Sequence, residues 1–470
     1  MGVGNRGGCE RGMKLLDSVL ERIRPSEEDR RRLEEVVSTL LERAREACER
    51  EGMGRPMLVG SVARGTWLKG EKDIDIFLLF PENLSREELE EVGLKVCREV
   101  ARGEGRERYA EHPYLTFEFK GFEVDLVPCY EIPDPRRTKS AVDRSPHHQK
   151  YVSERLTPAL RDQVLLLKQF MKGMGIYGAE LKIHGFSGYL CELLVLYAGS
   201  FMELVRRASK WREGQVIDLE HHYPTEEEAR RIFENQTLIV VDPVDAGRNV
   251  SASVSLQTFA TFVRGCQDFL KNPREEFFFP KPVRKLKKAE LARILRKRGT
   301  EVYCIIFRPP DVVPDVLYPQ LRKTERALTA ALSEAGHKVI RSDVWGEGRG
   351  AILLEIQPCL ERIEIREGPP LGVDAENFVR SYLHSPLKLA GPFTDPAGRI
   401  VYELQSRAPS PQKVIRETLR QKHLLGKHVG EALQEGYRMV KSPGLPSLLD
   451  DPRLSPFLSE YFTKCFPWYR

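Results

Sequence analysis

The sequence lacks any paired-cysteine signature. Its nine cysteines, Cys9, Cys48, Cys97, Cys129, Cys191, Cys266, Cys304, Cys359 and Cys465, are odd in number and successive ones stand more than thirty residues apart. With no CxxC and no Cys/His zinc spacing, a disulfide framework and a zinc finger are excluded, which leaves reduced, mostly buried thiols. No apolar run reaches the length of a membrane span. The opening MGVGNRGGCERGMKLL has no apolar core of the signal-peptide type. Both absences point to a cytoplasmic protein with no membrane partner. Internal repeats and low-complexity tracts are also missing.

Charge of one sign is scarce. The 74 Lys and Arg against 69 Asp and Glu leave +5, with a pI near 8.6, a faint hint of an anionic partner. Hydrophobic residues make up 41% of the 470, too much for a disordered chain, and that length suggests about two to four domains. The basic residues are unevenly spread. Lys281 to Arg298, KPVRKLKKAELARILRKR, holds nine bases and one acid. It reads either as a solvated amphipathic helix or as a phosphate-contacting surface.

Local patterns divide the chain. Residues 26–52 form a helix, with Ser26 as cap, an apolar stripe of Leu33, Val36, Val37, Leu40, Leu41 and Ala44, and a stop at Gly52. A short strand, Met57 to Val59, precedes a Gly60-Ser61 turn and a second strand, Asp73 to Phe80. Ser85 and Glu88 stand in capping-box spacing at the head of another helix, which runs to about Arg102. Two alternating runs, Leu115 to Phe119 and Phe122 to Val127, flank Lys120-Gly121 and read as a hairpin. The first 145 residues are thus a small α/β domain with a mixed sheet. From Tyr151 to Leu270 the pattern is mainly helical, with long helices in RDQVLLLKQFMKGMGIYG, GFSGYLCELLVLYAGSFMELVRRASKW and SLQTFATFVRGCQDFLK. NPREEFFFPKPVRK reads as a linker. Strands at 301–307, 338–344 and 350–357 with a helix at 319–335 give a β-α-β-β order, a helix-backed antiparallel sheet of the kind RNA-binding domains share. A further helix is expected near 411–439.

The chemistry concentrates in GSVARGTWLKGEKDIDIFLLFP. Strand side chains alternate, so Asp73 and Asp75 face one way, about 7 Å apart at Cα, while Ile74 and Ile76 face the other. Paired carboxylates repel unless a cation sits between them, and hard oxygen ligands suit Mg²⁺. Asp125, in the apolar strand FEVDLVP, is a third candidate. Three carboxylates around two Mg²⁺ ions about 4 Å apart is the layout of in-line nucleotidyl transfer. Gly60 permits close backbone approach to a phosphate, Ser61 can donate to one, and Arg64 lies one turn further on. A lone DxD or a lone GS carries little weight. The ordered set of helix, strand, GS, DID in an apolar strand and a third Asp in another is far more specific.

This order resembles the polymerase-β-like nucleotidyltransferase superfamily. Together with SAVDRSPHH, LLKQFMKGMGIYGAE, GFSGYLCELLV, DPVDAGRNVSASVSL, RGTEVYCIIFRPP, LYPQL and LGKHVGEAL, it resembles the archaeal class I CCA-adding enzymes over nearly the whole chain, more weakly after about residue 360. The resemblance implies an α+β multidomain fold: a catalytic head at 1–145, a mainly helical neck at 146–270, an α/β body at 271–366 and a tail at 367–470. It implies template-independent addition of CCA to tRNA from CTP and ATP. Asp73, Asp75 and Asp125 are its metal ligands. Relatives often carry Glu where Asp73 stands, so the side chain here is one methylene shorter. Ser61, Arg64, Lys168 and Tyr177 are implied as triphosphate and ribose contacts. His148 sits near the nucleotide, in a His147-His148 pair whose register stays open by one residue. Arg248 contacts the base, with Asp242 and Asp245 either orienting it or forming a charged turn. Body and tail are implied to clasp the acceptor stem and TΨC arm of tRNA, and a homodimer is allowed. The nearest rival is a poly(A) polymerase, which shares the GS and DxD core. A non-catalytic tRNA-binding protein on a dead transferase would show a damaged carboxylate set. A small-molecule nucleotidyltransferase would need only the first two domains.

Overall fold

The computed structural model describes residues 6–109, 113–358, 363–370, 372–405 and 409–470, with backbone alone for 6–11. Of the cysteines whose side chains are described, all are free and all but Cys465 are buried; Cys9 and Cys359 lie outside them. The chain divides into two compact units, Met1–Lys281 with Cys465–Arg470, and Pro282–Lys464.

The first unit opens with α1 (Arg6–Ile23), which the periodicity did not bring out, and α2 (Glu27–Arg50). Ser26 and Asp29 cap α2 reciprocally, each side chain accepting from the other's backbone N–H. The expected stripe is buried at Leu33, Val36, Val37, Leu40 and Ala44, and Gly52 leaves the helix at φ 70°. Then follow β1 (Arg55–Val59), the short α3 (Gly60–Arg64), β2 (Asp73–Pro81), α4 (Arg86–Val100), β3 (Arg106–Tyr109), β4 (Pro113–Phe119) and β5 (Phe122–Glu131). Ser85 and Glu88 form the expected capping box on α4. The sheet runs β1-β2-β5-β4-β3. Only β2 and β5 pair in parallel; the other neighbours are antiparallel. Lys120 and Gly121, at φ 51° and 84°, make the two-residue hairpin turn. Gly60-Ser61, expected as a turn, instead opens α3, Gly60 entering at φ 77°.

The same unit continues through α5 (Ser145–Arg155), α6 (Pro158–Met174), α7 (Gly188–Ala198), α8 (Phe201–Ala208), β6 (Gln215–Ile217), α9 (Glu226–Ile232), β7 (Leu238–Asp242), β8 (Asp245–Asn249) and α10 (Leu256–Lys271). The segment expected as one helix after Gly185 breaks at Gly199, and α7 and α8 meet at 92°. The small sheet β6-β7-β8 was not legible, because its strands are too short for a two-residue period to register. Among the described residues no single helix is long and apolar enough to cross a membrane. The apolar α7–α8 pair owes its composition to burial: Leu190, Leu193, Leu194, Phe201 and Leu204 all lie in the core. NPREEFFFPKPVRK carries the boundary between the two units, at Lys281–Pro282, where a linker was expected, but its aromatic first half is packed rather than exposed. Phe277 and Phe278 are buried beside Phe170 and Phe269, with ring centroids 5.3–5.8 Å apart, and belong to that core.

The second unit holds α11 (Lys288–Arg298), β9 (Glu301–Phe307), α12 (Pro314–Glu334), β10 (Val339–Trp345), β11 (Gly350–Ile356), β12 (Ile363–Glu367), α13 (Glu376–Leu383), β13 (Lys388–Thr394), β14 (Ile400–Gln405), α14 (Pro411–Arg420), α15 (Lys427–Glu435), β15 (Tyr437–Lys441) and α16 (Ser455–Phe462). Its antiparallel sheet β10-β11-β9-β15, backed by α12, is the expected β-α-β-β element with one strand added. The helix expected over 411–439 is broken in two and ends in that added strand. Gly426 comes so close to α12 that a Cβ there would lie 2.4 Å from the Gln320 Cβ, so the chain turns at this point. The basic stretch becomes helical only from Lys288. Arg284 pairs with Glu290, Lys288 with Asp450 and Arg298 with buried Glu355, so part of it ties the unit together.

Candidate active site

The parallel pairing of β2 with β5 builds the site. It sets Asp75 directly opposite Asp125 and Asp73 opposite Glu123. Along both strands the intervening residues, Ile74, Ile76, Val124 and Leu126, are buried in the head's core, so the acids share the other face. Burial, then the charges of Asp125 and Asp73, push the Asp75 carboxyl up to about 6, while Arg64 acts the other way. Burial also raises Asp73, reinforced by Glu71 and Glu123. Asp125 is raised by burial and restrained by Thr116, whose hydroxyl donates to Oδ1 at 2.5 Å.

Gly60 leaves β1 against this cluster. A Cβ on it would stand 2.2 Å from Asp75 Oδ2, so a side chain is excluded where α3 begins. Ser61 and Arg64 follow on α3. The Arg64 side chain is only 9% exposed, and its Nε lies 2.9 Å from Glu192 Oε1 and 2.8 Å from Oε2. Its Nη1 donates to Gln149 Oε1 at 2.8 Å. Lys168, on α6, is buried, and its Nζ donates to the Thr66 carbonyl at 2.8 Å. Burial lowers its amine and the nearby Glu192 charge opposes that. A Cβ at Gly188 would lie 3.2 Å from the Tyr177 hydroxyl and 3.5 Å from Lys168 Nζ, which brings these two together at the start of α7. Burial raises the Tyr177 phenol far above its ordinary range.

A second cluster gathers on Asp242, at the end of β7. This fully buried carboxylate meets His148 Nε2 at 2.8 Å, accepts from Arg248 Nη1 at 2.6 Å and receives the Tyr189 hydroxyl at 3.3 Å. Burial alone would raise it, but the His148 and Arg248 contacts outweigh that and hold it low. The His148 ring stacks on Tyr189 at 4.2 Å. His147 turns away to the Ile132 carbonyl. Asp245 pairs with Arg144 rather than with Arg248. Beside Arg248 opens a cavity of about 800 Å³, lined also by Arg144, Ser187, Arg231 and Phe233. The adjacent residues His148 and Gln149 reach the two clusters separately, so α5 joins them.

Sequence reasoning overlooked Glu123, Thr116, Gln149, Tyr189 and Glu192. Two were within reach. Alternation in FEVDLVP places Glu123 with Asp125, and counting back from the Lys120-Gly121 turn sets Thr116 opposite Asp125. The other three sit on helices where nothing local marks them.

The residues present suit a divalent cation. Carboxylates on facing positions of two adjacent strands raise one another's affinity for protons, as anions without a counter-charge do. Among the described residues no group of three or more His, Cys, Asp or Glu side chains is placed so that it could hold a metal ion.

The head and its acid-bearing sheet define a nucleotidyltransferase: residues 41–148 match the family model described as nucleotidyltransferase domain. Residues 162–279 match "tRNA nucleotidyltransferase, second domain", and 298–442 match "CCA-adding enzyme, C-terminal domain". The chain belongs to the CCA-adding enzyme family. It is 41% identical over 440 residues to the CCA-adding enzyme of Methanosarcina barkeri, covering 92% of this chain and 94% of that one. It is 39% identical over 434 residues to the one of Archaeoglobus fulgidus, covering 92% and 95%. Among solved structures, a Cid1 poly(U) polymerase overlaps 56% of this chain and 94% of its own at 17% identity and a TM-score of 0.45, a likeness too distant to weigh.

Proposed function

We propose that this chain adds CCA to the 3′ end of tRNA from CTP and ATP, template-free, with Asp73, Asp75 and Asp125 holding two Mg²⁺ ions. The observation that carries the reading is the parallel register that sets Asp75 against Asp125 above the glycine-opened start of α3. Mg²⁺ bound there supplies the charge that acidifies the attacking 3′-hydroxyl and holds the departing pyrophosphate. The protein's own part is placement. Ser61, Arg64, Lys168 and Tyr177 hold the triphosphate and ribose. Asp242 aims the Arg248 fork and the His148 ring at the base. A guanidinium braced in this way offers fixed donors that suit both C and A.

In functional terms the head and neck lie in the first unit and the body follows Lys281, with a tail from about residue 367. The second unit grips the acceptor stem and TΨC arm through their backbone shape. The protein works in the cytoplasm, and a homodimer is the assembly this reading admits. The test is incubation with Mg²⁺ and a tRNA ending at its discriminator base, with each nucleotide alone and in pairs. CTP alone should give two additions and CTP with ATP three, then a stop. Unlimited addition of A, with CTP ignored, would instead identify a poly(A) polymerase.

A further inference from the structure

The buried Glu192 carboxylate takes no place among the metal ligands or the base contacts, yet it stands between the two cations assigned to the triphosphate. It lies on α7 with no exposed surface; its Oε1 accepts from Arg64 Nε at 2.9 Å and from the Thr66 hydroxyl at 2.6 Å, while its buried Oε2, 2.8 Å from the same Nε, has no hydrogen-bond partner among the described residues. Thr66 in turn takes the Lys168 ammonium on its carbonyl at 2.8 Å. Gln149 holds Arg64 from α5 through Nη1 at 2.8 Å and is itself tied to Ser153 at 2.9 Å. A buried charge is costly unless paired and hydrogen-bonded, and a half-satisfied network costs more than an apolar one. Four elements therefore meet here: α3 and the loop after it, α5, α6 and α7. The contacts at Nε and Nη1 leave Nη2 of Arg64 without a hydrogen-bond partner among the described residues.

We propose that Glu192 is a positioning residue for nucleotide binding: it clamps Arg64 by its Nε edge, so that the Nη2 side is presented to the NTP triphosphate, and anchors Lys168 through Thr66. The inference rests on the proposed assignment of Arg64 and Lys168 as triphosphate contacts. Glu192 touches no reacting atom, and its effect passes through the two cations.

The test uses the full-length chain and compares wild type, Glu192→Gln, Arg64→Ala and the double variant. Binding of Mg·CTP is measured by calorimetry, and extension of a tRNA lacking CCA gives KM and kcat. Glu192→Gln should raise Kd and KM for CTP about tenfold, with kcat changed far less and KM for tRNA unchanged. In the Arg64→Ala background the same substitution should add distinctly less, because one of its two targets is gone. Equal additive losses in both backgrounds, or parallel losses in tRNA KM and kcat, would show a merely structural buried acid and overturn the proposal. If Glu192→Gln does not fold, Gln149→Ala removes the other brace on Arg64. It should raise KM for CTP in the same sense, and an unchanged KM would overturn the proposal equally. Failure of the wild-type chain to extend tRNA would refute the proposed function, while the calorimetric cycle would still decide the role of Glu192.

Discussion

Gly60→Ala separates backbone strain from active-site geometry. Gly60 sits at φ 77°, and a Cβ on it would meet Asp75 Oδ2 at 2.2 Å, far inside contact distance. The left-handed backbone costs a non-glycine residue about 1–2 kcal/mol, which in a unit of this size lowers the melting temperature by roughly 2–6 °C. The clash costs little more in stability, because the Asp75 oxygen it meets is the end of a side chain that can rotate away. Rotation is what matters for chemistry. The carboxylate must shift by about an ångström, and displacement of that size in a catalytic group costs on the order of a hundredfold in rate. Gly70 supplies the control. It sits at φ 88° with nothing within 4 Å of a built Cβ, so Gly70→Ala carries similar strain and no clash. The assay is CMP incorporation into tRNA lacking CCA, alongside thermal melting of both variants. The expectation is similar melting shifts, with activity lost in Gly60→Ala alone. Activity within threefold of the control would refute the claim that Asp75 must occupy that spot.

Asp75→Ala should abolish CMP and AMP incorporation while leaving tRNA affinity in a filter-binding assay largely intact; normal extension would sink the metal assignment. The Asp75 carboxyl is raised to about 6, chiefly by burial. Its folded value exceeds its unfolded one, so in the metal-free protein its stabilising contribution is complete below about pH 4 and is lost as pH rises through about 6. Mg²⁺ needs the deprotonated form, so the Mg²⁺ concentration for half-maximal rate should climb as pH drops below about 6; a flat dependence between pH 5 and 8 would count against it. Asp242→Asn weakens the shared hold on Arg248 and His148, and misincorporation of UTP and GTP should rise with tRNA affinity unchanged. Unaltered discrimination in both Asp242→Asn and Arg248→Ala would remove them from base selection. In the second unit, Glu355→Ala leaves Arg298 without its paired carboxylate, bonded at 2.6 and 2.9 Å, and should destabilise that unit by about 3 kcal/mol, read as a lower denaturant midpoint.

Elements whose identity depends on near neighbours were legible. The α2 and α4 caps, the 120–121 hairpin turn, the DID alternation and the β-α-β-β segment all follow from residues within a turn or a strand of one another. Failures came where distant packing ruled. The 411–439 helix is interrupted between Arg420 and Lys427, where Gly426 packs against Gln320, and the linker at 272–285 has its Phe277 and Phe278 drawn into a core by α6 and α10. The basic run at 281–298 left a solvated helix and a phosphate-contacting surface both open, and neither reading foresaw that Arg298 spends its charge on an acid 57 positions away.

By itself the amino-acid order determined which face Asp73, Asp75 and Asp125 share with their own strand neighbours, because side-chain direction in a strand is set by a two-residue period. Only the tertiary structure decided that Asp75 would stand against Asp125 in a parallel pair, that Glu192 would brace Arg64, and that Asp242 would gather His148, Arg248 and Tyr189. Apart from Arg248, six positions from Asp242, those meetings join positions 50 to 128 apart by closing long loops, and their register comes from burying whole faces at once, which no local window of sequence contains.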